Sequence, residues 1–130
     1  MNQRQQLGKW GEELACFYLK KQGYKILKRN LKLSYQEIDI VAQQDEETVL
    51  VEVKTRTALE TAEAALISKK KKHLKKALMT YCRQSGIYLE KARIDFIAID
   101  WFGENGHLTH YQDVFACEKV KKFKLAGKLI

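Results

Sequence analysis

Asp39, Glu52 and Lys54 are the residues of this chain whose types and spacing can do chemistry. They lie in QEIDIVAQQDEETVLVEVKTR, residues Gln36 to Arg56, which reads as two short apolar strands joined by the acidic turn Gln44-Asp45-Glu46-Glu47. Strand side chains alternate between faces with period 2. In the second run Val49, Val51 and Val53 therefore share one face, and Leu50, Glu52 and Lys54 the other. In the first run Ile38, Ile40 and Ala42 are expected on one face, with Glu37, Asp39 and Val41 opposite. A turn symmetric about Asp45-Glu46 sets Asp39 across from Glu52 and Glu37 across from Lys54. Directly opposed like charges destabilise a strand pair, so two facing carboxylates ask for a reason. A divalent cation, which takes carboxylate oxygens, is one. Such a cation would polarise a phosphoryl oxygen and lower the pKa of an attacking water. Lys54 would orient that water or offset the developing charge. By itself the E-x-K pattern is common on solvated strands, where a cross-strand ion pair of Glu37 with Lys54 is the plainer reading.

Around these residues stand elements that must position them. Leu7, Trp10, Leu14, Phe17 and Tyr18 recur at helical steps between about Gln5 and Gln22, marking an amphipathic helix with a core face that ends near Gly23. Gly8 and Gly11 weaken it by about 1 kcal/mol each against Ala, which a close approach to another element or to a phosphate would explain. Tyr24 to Leu33 is expected as a first strand, cationic on its open side and interrupted around Asn30. The segment from Thr57 to Ile67 fits loop or helix. Ser68 is expected to cap a second helix that turns Leu74, Ala77, Leu78 and Tyr81 inward and stops by Gly86. Its start, SKKKKHLKK, sets Lys69, Lys70, Lys71, Lys72, Lys75 and Lys76 near a helix N-terminus, where cations oppose the macrodipole. An external anion would explain them, and phosphate contact positions a duplex without reading its sequence. Arg56, closing the second strand of the hairpin, is grouped with these lysines as a nucleic-acid contact. Arg93 to Asp100 adds a strand, Gly103 to Gly106 turns the chain, and Leu108 to Phe115 gives one more. Glu118 to Ile130 reads as a basic tail, either a short helix or a flexible extension.

The 130 residues suit one domain that buries roughly two thirds of its unfolded surface, and a hydrophobic content of 45% argues against disorder. A formal charge of +8 favours anionic partners. Cys16, Cys82 and Cys117 are odd in number and widely spaced, which excludes a disulfide framework and a cysteine zinc site. Together with the lack of a long apolar run, this predicts a cytoplasmic protein with no membrane partner. Cys16 is expected as a packing residue. His73, His107 and His110 form no metal set by spacing and fit surface or polar-network roles. Trp10 is expected in the core, and Trp101 with Phe102 either at a core edge or as an exposed contact.

The segments GKWGEELACFYLKKQGYKIL, QEIDIVAQQ, LVEVKTR, the lysine-rich helix and RIDFIAID resemble, in order and spacing, the YraN family of small bacterial proteins over roughly residues 7 to 116. That family is similar to the restriction-endonuclease-like PD-(D/E)xK nucleases and to archaeal Holliday junction resolvases. The resemblance implies an α/β fold, a mixed central β-sheet flanked by helices. It also implies Asp39 and Glu52 as metal ligands, Lys54 as catalytic, and Glu12, after Gly8-x-x-Gly11, as the first helix's acid at the site. Glu37 falls on the acid of the family's G-E-I-D segment. Gln36 departs from the glycine usual there. Thr55 and Arg56 follow the E-x-K lysine, where some of these nucleases carry glutamine. The function so implied is a Mg²⁺- or Mn²⁺-dependent nuclease acting on structured or branched DNA, with DNA favoured over RNA; symmetric cutting of a junction would call for a homodimer. The alternative is a non-catalytic nucleic-acid-binding or partner-docking module on the same fold.

Overall fold

A computed structural model of the chain describes residues 2–33, 36–56, 63–102, 105–116 and 118–125, and for residues 4, 63–71 and 102 the backbone alone. Helix α1 (Gln3–Lys21) starts at a reciprocal cap. Asn2 accepts from the Gln5 amide at 2.8 Å, while the Gln5 side chain accepts from the Asn2 amide at 3.1 Å. It ends where Gly23 turns left-handed (φ 91°) and the Tyr24 amide returns to the Leu19 carbonyl at 2.9 Å. The strands β1 (Lys25–Leu33), β2 (Gln36–Gln44) and β3 (Glu47–Arg56) follow, then α2 (Glu63–Ser85), a short 3₁₀ turn, β4 (Ala92–Phe102), β5 (Asn105–Gln112) and β6 (Lys119–Leu125). The sheet runs β1-β2-β3-β4-β5-β6, antiparallel throughout except for the parallel β3–β4 pair, which α2 connects. This mixed sheet flanked by helices is the architecture that the sequence predicts.

Two cores form, one on each face. Ala15, Cys16, Tyr18 and Leu19 of α1 pack on Ile40, Ala42, Val49, Val51, Ile97 and Ile99. Leu74, Ala77, Leu78 and Tyr81 of α2, the residues expected to turn inward, pack on Ile38, Val41, Leu50, Ile94, Phe96 and Ala98. Cys16 is buried and, with burial its main cause, its thiol is pushed up, as suits packing rather than nucleophilic attack. Trp101 is buried against Trp10, edge to face with centroids 5.9 Å apart. Gly106 makes room for it, because a Cβ there would meet the indole at 2.2 Å.

Four expectations change. Ser68 does not start α2; the helix begins at Glu63, so the lysine run sits in its interior and the macrodipole argument lapses. Phe17 is 60% exposed rather than core, with the Lys21 ammonium 5.4 Å from its ring centre. Asn105 and Gly106 belong to β5 rather than to the turn, and Gly103 and Glu104 lie outside the described residues. The basic tail is neither helix nor loose extension at Lys119–Leu125 but an edge strand paired with β5. Its lysines suit an edge, where charge discourages pairing with another chain.

Candidate metal and nucleic-acid site

The β2–β3 hairpin has the symmetric two-residue turn, with the left-handed Asp45 (φ 53°) at its tip and pairs running from Gln44 with Glu47 to Ile40 with Val51. There the ladder pairing ends, one step short of Asp39 and Glu52. The Asp39 carboxylate takes over from the backbone: its Oδ2 accepts the Val53 amide at 2.8 Å, tying Asp39 to β3 beside Glu52 and Lys54. The expected face pattern of β2 breaks at the same residue. Ile38 packs in the α2-side core and Ile40 in the α1-side core, although residues two apart in a regular strand share a face.

Glu52 is only 9% exposed, next to Phe96 of β4 in the ladder, and Lys54 is half-buried next to Ala98. Among the described residues no three of His, Cys, Asp or Glu come together to cage a metal. Mg²⁺ is commonly held by one or two carboxylates plus substrate phosphates rather than by an all-protein cage. Asp39 and Glu52, oxygen donors on adjacent strands with one already fixed by a backbone amide, fit that demand.

Glu12 and Glu37 form a second group. The side-chain amide of Asn30, with its nitrogen turned to the acids so that each atom meets a complementary partner, donates to Glu12 Oε2 at 3.2 Å and Glu37 Oε1 at 3.3 Å. Asn30 is left-handed in mid-strand, with φ 52°. Asparagine is one of the few side chains that adopt this conformation readily, so the break in β1 was the signal that could have found it. Beside it an open cleft of about 530 Å³ is lined by Gln5, Gly8, Lys9, Glu12, Arg29 and Asn30. The two glycines of α1 differ. Gly11 lets the helix lie against β3, since a Cβ would fall 1.8 Å from Thr55 Oγ1, whereas Gly8 opens on the cleft.

Some expected contacts are not there. Glu37 pairs with Lys32 of β1, and the β2–β3 ladder does not carry it to Lys54. Arg56 is 5% exposed and forks onto Asp100, its partner across β4, with Nε and Nη2 at 2.6 and 2.5 Å from Oδ1. The expected phosphate contact would have to reach a guanidinium buried in that pair inside the sheet. Lys72, Lys75 and Lys76 are exposed on α2; the side chains of Lys69, Lys70 and Lys71 lie outside the described residues.

A buried network lies on the α1 side of the sheet. His110 joins Tyr18 through Nδ1 and Asp95 through Nε2, both at 2.7 Å, and Arg93 donates to Asp95 Oδ1 at 3.0 Å and to Tyr24 Oη at 2.6 Å. Burial works to raise the Asp95 pKa, but the hydrogen bonds from His110 and Arg93 outweigh it and hold the carboxyl below its ordinary value. The polar-network role open to His110 is the one observed. Spacing alone could not reveal Asp95 as its partner, because that contact joins two strands through tertiary packing.

Relatives place the chain. The profile of the family described as "Uncharacterised protein family UPF0102" matches residues 11–99. A UPF0102 protein of Carboxydothermus hydrogenoformans is 43% identical over 88% of this chain and 98% of its own length. One of Flavobacterium johnsoniae is 38% identical over 88% and 98%. Among solved structures, Archaeoglobus fulgidus Hjc, a Holliday junction resolvase from an archaeal hyperthermophile, is 19% identical and aligns over 90% of this chain and 88% of that one, with a TM-score of 0.45. No helix among the described residues is long and apolar enough to cross a membrane. By profile and by relatives matched over nearly their whole length, the chain belongs to the protein family UPF0102.

Proposed function

We propose that this protein is a Mg²⁺- or Mn²⁺-dependent nuclease that hydrolyses phosphodiester bonds of structured or branched DNA. The reading rests above all on Glu52, a carboxylate 9% exposed in the sheet, with Asp39 fastened to the same strand through the Val53 amide and Lys54 two residues on. Asp39 and Glu52 hold the cation. When bound, it polarises the phosphoryl oxygen and makes water a nucleophile near neutral pH. Lys54, on the same strand face as Glu52, orients that water or offsets charge as it develops on the phosphate. Exposed Lys72, Lys75 and Lys76 hold the duplex by its phosphates, a contact that positions without specifying. Branched DNA as the substrate follows from the motif resemblance to resolvases, and a homodimer would bring two such sites to the two strands of a junction.

Purified protein incubated with duplex, flap and four-way junction DNA tests this. Cleavage is expected only with Mg²⁺ or Mn²⁺. Lys54→Ala should lower kcat by about a hundredfold or more while the heat of Mn²⁺ binding is retained, and Asp39→Ala and Glu52→Gln should abolish that heat. Cleavage undiminished in Asp39→Ala or Lys54→Ala would overturn the proposal.

A further inference from the structure

The left-handed residue of β1 is not at a turn. Arg29 pairs with Ile40 and Leu31 with Ile38, so Asn30 lies across from Asp39, the residue at which β2 exchanges faces. The consequence is visible on either side of Asn30. Arg29 lines the cleft walled by α1, whereas Leu31 packs against the core under α2. In a regular strand the two would share a face. A left-handed, non-glycine residue in mid-strand costs of order 1 kcal/mol, and such strain persists only where surrounding contacts hold it. Here the conformation aims the amide at two carboxylates, Glu12 of α1 at 3.2 Å and Glu37 of β2 at 3.3 Å. Those carboxylates can be no farther apart than the two bonds together, and at such separation like charges repel. One neutral donor between them, with Lys9 and Arg29 lining the same cleft, offsets the repulsion.

We infer that Asn30 is a positioning residue: its amide clasps Glu12 to Glu37 and so fixes the acid of the first helix against the strand that carries Asp39. The clasp is made by the protein alone, before metal or substrate arrives. Its use in catalysis rests on the nuclease reading above. With Glu12 set in advance, the site needs no reorganisation when substrate binds, which is where preorganised groups gain their effect.

Asn30→Gly separates the amide from the backbone, because glycine takes a positive φ without strain. It should fold with an unchanged or higher melting midpoint, keep KM for junction DNA, and lose at least tenfold in kcat. Asn30→Ala, which lacks both the amide and the ease of the left-handed backbone, should lose stability as well. Independently of catalysis, in metal-free protein the side-chain amide resonance of Asn30 should shift in both Glu12→Gln and Glu37→Gln. A resonance indifferent to either acid would overturn the clasp. Full kcat in Asn30→Gly would overturn its positioning role in catalysis. A wild-type protein that cuts no DNA while the resonance answers to both acids would sink the nuclease reading and leave the clasp standing.

Discussion

At the scale of single residues, Gly8 and Gly11 sit one turn apart on α1 and lack side chains for opposite reasons. Alanine at either position gains about 1 kcal/mol of helix propensity. At Gly8 nothing among the described residues lies within 4 Å of the added Cβ, so Gly8→Ala should raise stability by about that amount. At Gly11 the new methyl collides with Thr55, whose Cβ is itself 3.0 Å away, and overpacking of this kind costs about 1–3 kcal/mol. Gly11→Ala should therefore lower the urea midpoint, with partial recovery on adding Thr55→Ala, since Thr55 Oγ1 has no hydrogen-bond partner to lose among the described residues. Asp39 has two duties, and they can be told apart. Asp39→Ala strands the Val53 amide and should cost about 1–3 kcal/mol, while Asp39→Asn, able to accept the same bond, should lose Mn²⁺ binding with a smaller loss of stability.

At the scale of elements, exposed positive charge lies on α2 and β6, and also on β1 through Lys25, Lys28, Arg29 and Lys32. The inward row of Leu74, Ala77, Leu78 and Tyr81 fixes which side of α2 faces the sheet and leaves Lys72, Lys75 and Lys76 in water. Replacing these three by glutamine should weaken DNA binding nearly uniformly across sequences. It should also flatten the dependence of log K on log salt by about 1 for each lysine that touches a phosphate. An unchanged slope would make the row a solvated face. The matching expectation for Arg56 is different, because its charge is spent on Asp100 inside the sheet. Arg56→Gln should unfold the protein more readily, by about 3–5 kcal/mol for a broken buried pair, and leave the salt slope of the remaining folded protein alone.

At the scale of the whole molecule, the network of Tyr18, His110, Asp95 and Arg93 connects α1, β4 and β5 inside the sheet's α1-side core. The folded-state pKa of Asp95 is below its ordinary value, so the unfolded chain takes up the proton first as the pH falls. The stabilisation is therefore present above about pH 4, the ordinary carboxylate range, and is lost as the pH drops through it. Melting midpoints of the wild type should fall as the pH drops below about 4, with a shallower fall from a lower start in Asp95→Asn.

The sequence by itself determined what is local. Period-2 and period-3.6 patterning located the helices and most strands, and the acidic turn set the register of the hairpin from Gln44 with Glu47 to Ile40 with Val51. Tertiary structure decided what depends on neighbours distant in the chain. Arg56 and Asp100 became partners because a parallel crossover laid β4 beside β3. The faces of Ile38 and Ile40 divide at Asp39, across from the left-handed Asn30 of the adjacent strand, a break that a hydrophobic pattern does not record. Lys119–Leu125, weakly periodic, became a strand because β5 offered it a free edge. Alternation reports which side of a strand is apolar, and only the packed sheet determines which strand lies beside it and where that alternation is interrupted.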